Sequence, residues 1–192
     1  MDRYIPPRDV SREAFPESDK SCPGMQILPA DFTPRMCRAV LQVPYAEKSG
    51  RTLHLHLIVP EQKEGEEGKK FPLLLFIQGS AWRQQDLGLN LCNLPQIARR
   101  GFVIALVEYR PSDIAPFPAQ ICDAKTALRF LLRHHEEYSF DPGNVFVWGD
   151  SSGGHTAVMT ALTAHDPRLL DEDGDTAATY LRVHRLLRPG AR

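Results

Sequence analysis

The segment Gly149-Asp150-Ser151-Ser152-Gly153 constrains this chain more than any other. It follows the apolar run Asn144-Val145-Phe146-Val147-Trp148 and precedes Gly154 to Leu162, which reads as a helix. G-x-S-x-G between a strand and a helix is the setting of a nucleophile elbow. The backbone must turn sharply there, and glycines on both sides leave room because they have no Cβ. Ser151 is then exposed at the apex, with a helix N-terminus near its oxygen. That placement favours developing negative charge. The plainer alternative is a glycine-rich strand-to-helix turn that carries an ordinary serine.

The residues after the elbow matter as much. A serine hydrolase of this type places its acid and its histidine after the nucleophile, in the order Ser, Asp/Glu, His. In this chain of 192 residues, 41 come after Ser151. The elbow helix uses some of them, and little room remains for two further strands and their loops. The C-terminal end therefore reads as altered or truncated, as a splice or frameshift product would be.

Length and composition suit one soluble domain with a real core, with 42% hydrophobic and 24% charged residues. A formal net charge of −1 gives no global pull toward nucleic acid or an anionic membrane. The longest apolar run, Phe102 to Val107, is too short to span a bilayer. Met1 to Pro7 contains no signal-peptide core, so a cytoplasmic location is the default reading. Cys22, Cys37, Cys92 and Cys122 form no CxxC pair and no zinc-ligand spacing. Free thiols are expected, with no metal and no cofactor.

Residues 1–35 are rich in proline and charge and read as an irregular N-terminal arm. Met36 to Tyr45 and Thr52 to Val59 read as an antiparallel pair at a sheet edge. The second segment alternates, which puts His54 and His56 on its polar face. Glu61 to Lys70 is a charged, solvated loop. Leu73 to Ile77 and Phe102 to Val107 are continuous apolar runs, as expected of strands buried on both faces. A helix is expected over Leu91 to Arg100 and another over Ala119 to Tyr138. In the latter, Ile121, Ala124, Leu128, Leu131 and Leu132 share a face, while Lys125, Arg129 and Arg133 point away. Asp141-Pro142-Gly143 makes a turn. Alternating strands and helices predict a three-layer α/β/α sandwich around a mainly parallel twisted sheet, with the elbow strand central. The ligand crevice would lie at the C-terminal ends of the strands, where Gly79 and Ser151 meet. Residues 167–192 form an atypical charged tail, in which Thr176 to Leu187 could be one helix.

With these segments in order, the chain resembles the α/β-hydrolase superfamily over residues 36–166. It looks most like carboxylesterases of the hormone-sensitive-lipase and feruloyl-esterase-like branches. Phe76 to Arg83 resembles the strand and the His-Gly-Gly-Gly-Trp-like loop of that family, with Gln78 and Ser80 in place of a His and a Gly. Val107 to Arg110, Ala115 to Gln120 with Asp123, Leu128 to Leu131, and Asp141 to Val145 resemble its next blocks. The resemblance implies that Ser151 is the catalytic nucleophile attacking an ester carbonyl. It implies an oxyanion hole built from the backbone N–H groups of Ser80, Ala81 and Ser152. Gly79 and Trp82 would line the substrate pocket, and His155 would be structural.

Asp166, Asp171, Asp173, Asp175 and His184 come after the elbow, but outside the strand-end contexts of the family's acid and histidine. The reading is therefore a serine esterase for a small-molecule ester, impaired because its triad acid and histidine are missing. Nucleic acid is not an expected partner and no membrane span is expected. A protein partner could cover the incomplete sheet. Two other functions compete: a peptidase on the same scaffold, and a non-catalytic binding protein that retains part of the fold. Labelling of Ser151 by a fluorophosphonate would separate the esterase from the binding protein.

Overall fold

The two uninterrupted apolar runs form the middle of one five-stranded sheet. The computed structural model describes residues 34–164 and 171–172, with 9–11, 13–14, 23–24 and 26. The chain divides into two units, Met1–Phe32 and Thr33–Arg192. In the first, the Ala14 N–H donates to the Ser11 carbonyl at 3.1 Å. Most of the arm expected over 1–35 and of the tail expected over 167–192, including its helix, lies outside the described residues.

The second unit holds β1 (Cys37–Lys48), β2 (Arg51–Pro60), β3 (Phe71–Ile77), β4 (Val103–Val107) and β5 (Phe140–Gly149). Its helices are α1 (Pro95–Ala98), α2 (Ala119–Arg133) and α3 (Ser151–Thr163). The sheet order is β1-β2-β4-β3-β5. Strand β2 pairs antiparallel with both β1 and β4, while β3 pairs parallel with β4 and β5. Four strands thus run one way and β2 runs the other, so the sheet is mixed but mainly parallel.

Alternation along each strand sorts the core into two layers. Leu73, Leu75, Val103, Ala105 and Val107 pack with Ala127, Leu128 and Leu131 of α2. Leu74, Phe76, Ile104 and Leu106 pack with Leu94 and Ala98 on the α1 side. Every β4 residue is buried. Each such Val, Ile or Leu contributes about 1.5–3 kcal/mol through removal from water.

Several expectations are corrected. The elbow strand is parallel to β3, as expected, but β5 is the edge strand of the described sheet and β3 and β4 are central. The turn at Asp141-Pro142-Gly143 is a bulge within β5: Asp141 pairs with Pro72 and Val145 with Leu73. The Gly143 N–H closes it by donating to Asp141 Oδ1 at 2.9 Å.

The helix expected over Leu91 to Arg100 shrinks to α1, preceded by a 3₁₀ turn at Leu87–Asn90. Pro95 can start a helix but cannot continue one, because it has no N–H to donate. The helix expected to reach Tyr138 ends at Arg133. Strand β2 is not half-buried, since every residue from Leu55 to Pro60 is covered on both faces. His56 is accordingly buried and accepts the Gln42 N–H at 3.1 Å. His54 lies beside Glu108, 3.1 Å from its carboxylate.

Lys125 and Arg129 do not point to solvent. They are buried, with Lys125 Nζ donating to the Thr163 carbonyl at 2.7 Å and Arg129 paired with Asp171. Charged side chains are buried only when such partners compensate for lost hydration.

Candidate active site

Strand β5 delivers the chain to Gly149, and α3 starts two residues later. Between them Asp150 is extended, with φ −111° and ψ 154°. Ser151 is exposed and has φ +47°. A left-handed residue with a Cβ costs on the order of 1–3 kcal/mol, so its surroundings must hold it in place. The flanking glycines allow that. A Cβ on Gly149 would sit 2.5 Å from the carbonyl oxygens of Gly153 and Ile77. One on Gly153 would sit 2.1 Å from the Ile77 oxygen. The elbow is therefore pressed against the end of β3 at backbone contact, which only glycine permits. The Gly154 N–H then donates to the Asp150 carbonyl at 2.9 Å, closing the first turn of α3.

The loop after β3 is tied to the elbow from several sides. The Gly79 N–H donates to Asp150 Oδ1 at 2.9 Å. The Ser80 and Trp82 N–H groups both donate to Ser152 Oγ, at 3.0 and 3.3 Å. Ser80 Oγ donates to the Arg83 carbonyl at 2.6 Å. The fully buried Tyr109 donates its hydroxyl to the Gln78 carbonyl at 2.8 Å and lies 2.9 Å from Ser80 Oγ. Gln85 Oε1 accepts the Tyr109 N–H at 2.9 Å. Burial pushes the Tyr109 phenol above its ordinary value, against its contacts with Ser80 and Ser152, which act to lower it. The phenol therefore stays protonated as a donor at neutral pH.

Ser151, Ser152, Gly79, Ser80 and Ala81 thus gather at one rim, the C-terminal ends of β3 and β5. A Cβ placed on Gly79 would be 2.8 Å from Ser151 Cβ. A pocket of about 270 Å³ opens beside Gly79 and Asp150. Its apolar wall is Phe76, Leu89, Leu94, Ile97 and Trp148, and Gln78, Asn90 and Asn93 add amides. The Phe76 and Trp148 rings lie 5.0 Å apart within it. Trp82 is not among the residues lining this pocket. It is 39% exposed and meets the His155 ring edge-on at 5.7 Å.

Among the described residues no histidine is hydrogen-bonded to the Ser151 hydroxyl. Asp171 is bound by both terminal nitrogens of Arg129, at 2.7 and 2.9 Å. Asp166, Asp173, Asp175 and His184 lie outside the described residues. No cluster of three or more His, Cys, Asp or Glu that could hold a metal occurs among the described residues. No described helix is long and apolar enough to cross a membrane.

Sequence reasoning missed Asp150, Tyr109 and Gln85 as the supports of the loop. Asp150 carried a signal, since it stands at the first variable position of the G-x-S-x-G motif and an acid there can reach a backbone donor.

Known proteins resemble this chain in sequence and in fold. Residues 55–184 match the BD-FAE family. Esterase LipC of Mycobacterium tuberculosis is 28% identical over 153 residues, covering 76% of this chain and 38% of LipC. Esterase LipQ of the same organism is 31% identical over 130 residues, covering 62% of this chain and 30% of LipQ. Among solved structures, an inhibited Esterase B from Lactobacillus rhamnosis superposes with a TM-score of 0.61 at 25% identity, covering 69% of this chain and 42% of that one. The chain thus spans well under half the length of these relatives. A glycine-packed serine elbow beside a small-residue loop, on a mainly parallel sheet, suits a member of this group. The chain belongs to the BD-FAE family and has the α/β-hydrolase fold of the carboxylesterases it resembles.

Proposed function

We propose that this chain carries the nucleophile of a carboxylic-ester hydrolase acting on small-molecule esters. Ser151 Oγ would bond to the ester carbonyl carbon, and the carbonyl oxygen would become a tetrahedral oxyanion. Collapse would break the bond to the alcohol oxygen, which would take up the proton lost by Ser151, and leave an acyl-serine that water would cleave to the acid and free Ser151. The observation that carries this reading is the exposed, left-handed Ser151, held at the rim against the loop after β3. Loop N–H groups there can meet charge that exists only after attack, and one such donor is worth about 3–4 kcal/mol. LipC and LipQ are named esterases, which supports the same chemistry.

The hydroxyl proton needs an acceptor, because an unassisted serine is a weak nucleophile. In this reading the triad acid and histidine are missing from the 41 residues after Ser151, so turnover by this chain would be slow. It rests on attack by a Ser151 hydroxyl without a positioned base, helped by binding and the oxyanion donors. The test is hydrolysis of p-nitrophenyl butyrate by the wild-type chain, Ser151→Ala and His184→Ala, after each is shown to fold. Slow turnover that Ser151→Ala abolishes and His184→Ala leaves intact is expected. Robust turnover lost in both variants would make His184 the base and overturn the incomplete triad. Turnover equal in wild type and Ser151→Ala would favour the binding-protein reading.

A further inference from the structure

The loop after β3 offers four consecutive N–H groups, and three are already taken. Gly79 donates to the Asp150 carboxylate, and Ser80 and Trp82 converge on a single acceptor, Ser152 Oγ. Ala81 and Trp82 have φ of +53° and +56°. Successive N–H groups around such positive-φ residues form a concavity that grips one acceptor. Here the gripped atom is the hydroxyl oxygen of the residue after the nucleophile. Ser152 is only 6% exposed, so this acceptor lies inside the rim. The Ala81 N–H has no acceptor among the described residues, and Ala81 is exposed. Ser152 belongs to the first turn of α3, where backbone N–H groups have no partner within the helix.

We propose that Ser152 is a positioning residue: its hydroxyl clamps the loop through Ser80 and Trp82, and the oxyanion of a Ser151 adduct is met by the N–H groups of Ala81 and Ser152. Ser80 then contributes nothing directly, because its N–H stays on Ser152. The proposal rests on Ser151 as the nucleophile, but the clamp itself does not. The residue after the serine therefore does two jobs. Its backbone donates to the adduct, and its side chain sets the shape of the loop that donates beside it. A hydroxyl is required for the second job, since an alanine there would leave two loop donors without an acceptor.

The test is residue-resolved amide hydrogen exchange by NMR on the full chain. In the wild type, the Ser80 and Trp82 amides are protected and the Ala81 amide exchanges freely. Ser152→Ala speeds exchange at Ser80 and Trp82 on the order of tenfold, the equivalent of one neutral hydrogen bond. It leaves Gly79 unchanged, because Asp150 still holds it, and Ser152→Thr restores protection. A merely structural loss would speed Gly79 and the β3 amides together. A second arm adds phenylboronic acid, which forms a tetrahedral adduct through a nucleophilic serine. The Ala81 and Ser152 amide protons then move downfield while Ser80 does not, and Ser151→Ala shows neither change. Ser80 exchanging as fast as Ala81 in the wild type, or unchanged protection in Ser152→Ala, overturns the clamp. No adduct in the wild type overturns the nucleophile reading instead, and the exchange data still decide the role of Ser152.

Discussion

Strands β4 and β5 lie on either side of β3 and pair parallel with it, yet their surroundings differ. All five residues of β4 are buried, and backbone ladders to β2 and β3 hold both of its edges. In β5 only Phe140 and Val145 are buried, and Trp148 near its end is 43% exposed. What fixes the end of β5 is backbone contact: Gly149 and Gly153 against the Ile77 carbonyl, and Asp150 and Ser152 against the loop after β3. Apolar burial is non-directional and tolerates small adjustments, whereas backbone contact and hydrogen bonds fix direction. The candidate chemistry stands at the end of the strand that adds close backbone contact to its single ladder.

If that contrast is right, the severest single substitution should be the smallest one made at the elbow. Gly153→Ala adds one methyl group 2.1 Å from a backbone oxygen that cannot swing away. A loss above about 4 kcal/mol is expected, among the largest that single changes produce. Urea unfolding followed by circular dichroism measures it. A loss below about 1 kcal/mol, the size of an ordinary substitution, would mean that the elbow has slack, and the contrast with β4 would collapse.

The next effect falls on the opposite side of the comparison, in the packed layer under α2. Asp123 is fully buried and accepts from the Arg110 backbone N–H and from its Nε and Nη2, at 2.8 to 3.1 Å. Asp123→Ala strands the buried Arg110 guanidinium and should cost about 3–5 kcal/mol, as broken buried pairs do. The same urea titration checks it. A neutral result would show that Glu172, 2.6 Å from Arg110, is sufficient to hold that charge.

The smallest effect is a pH dependence. Burial pushes the Cys122 thiol up to about 11, from an ordinary value of 9.0. In that window the unfolded chain loses the thiol proton and the folded chain keeps it. Stability therefore falls as pH rises from about 9 to about 11. The urea midpoint of the wild type should fall more across this range than that of Cys122→Ala. Parallel curves would remove Cys122 from the buried layer.

Much of this contrast was legible in the sequence, and the illegible part has one cause. Leu73 to Ile77, Val103 to Val107 and the elbow were readable because uniform apolarity and paired glycines are local signals. Lys125 and Arg129 were misread because their charge looked like a solvent face. Their partners, the Thr163 carbonyl and the Asp171 carboxylate, lie 38 and 42 residues away, and no local period encodes them. His56 was misplaced for a related reason: β1 carries a bulge that brings the Gln42 N–H to the imidazole, on the face that alternation assigned to solvent. Ser151 and its neighbouring loop were visible as motifs. The clamp between Ser152 and Ser80, 72 residues apart, was not. The edge position of β5 was missed because a strand's own residues do not reveal whether a further strand pairs beside it.

The proposed role of the elbow is to present Ser151 as a nucleophile. Intact-mass analysis and peptide mapping of the folded full chain after incubation with a fluorophosphonate test it most directly. One adduct on Ser151, absent in Ser151→Ala, is the predicted result. A folded wild-type chain that gains no adduct, or gains it equally in Ser151→Ala, would contradict the claim.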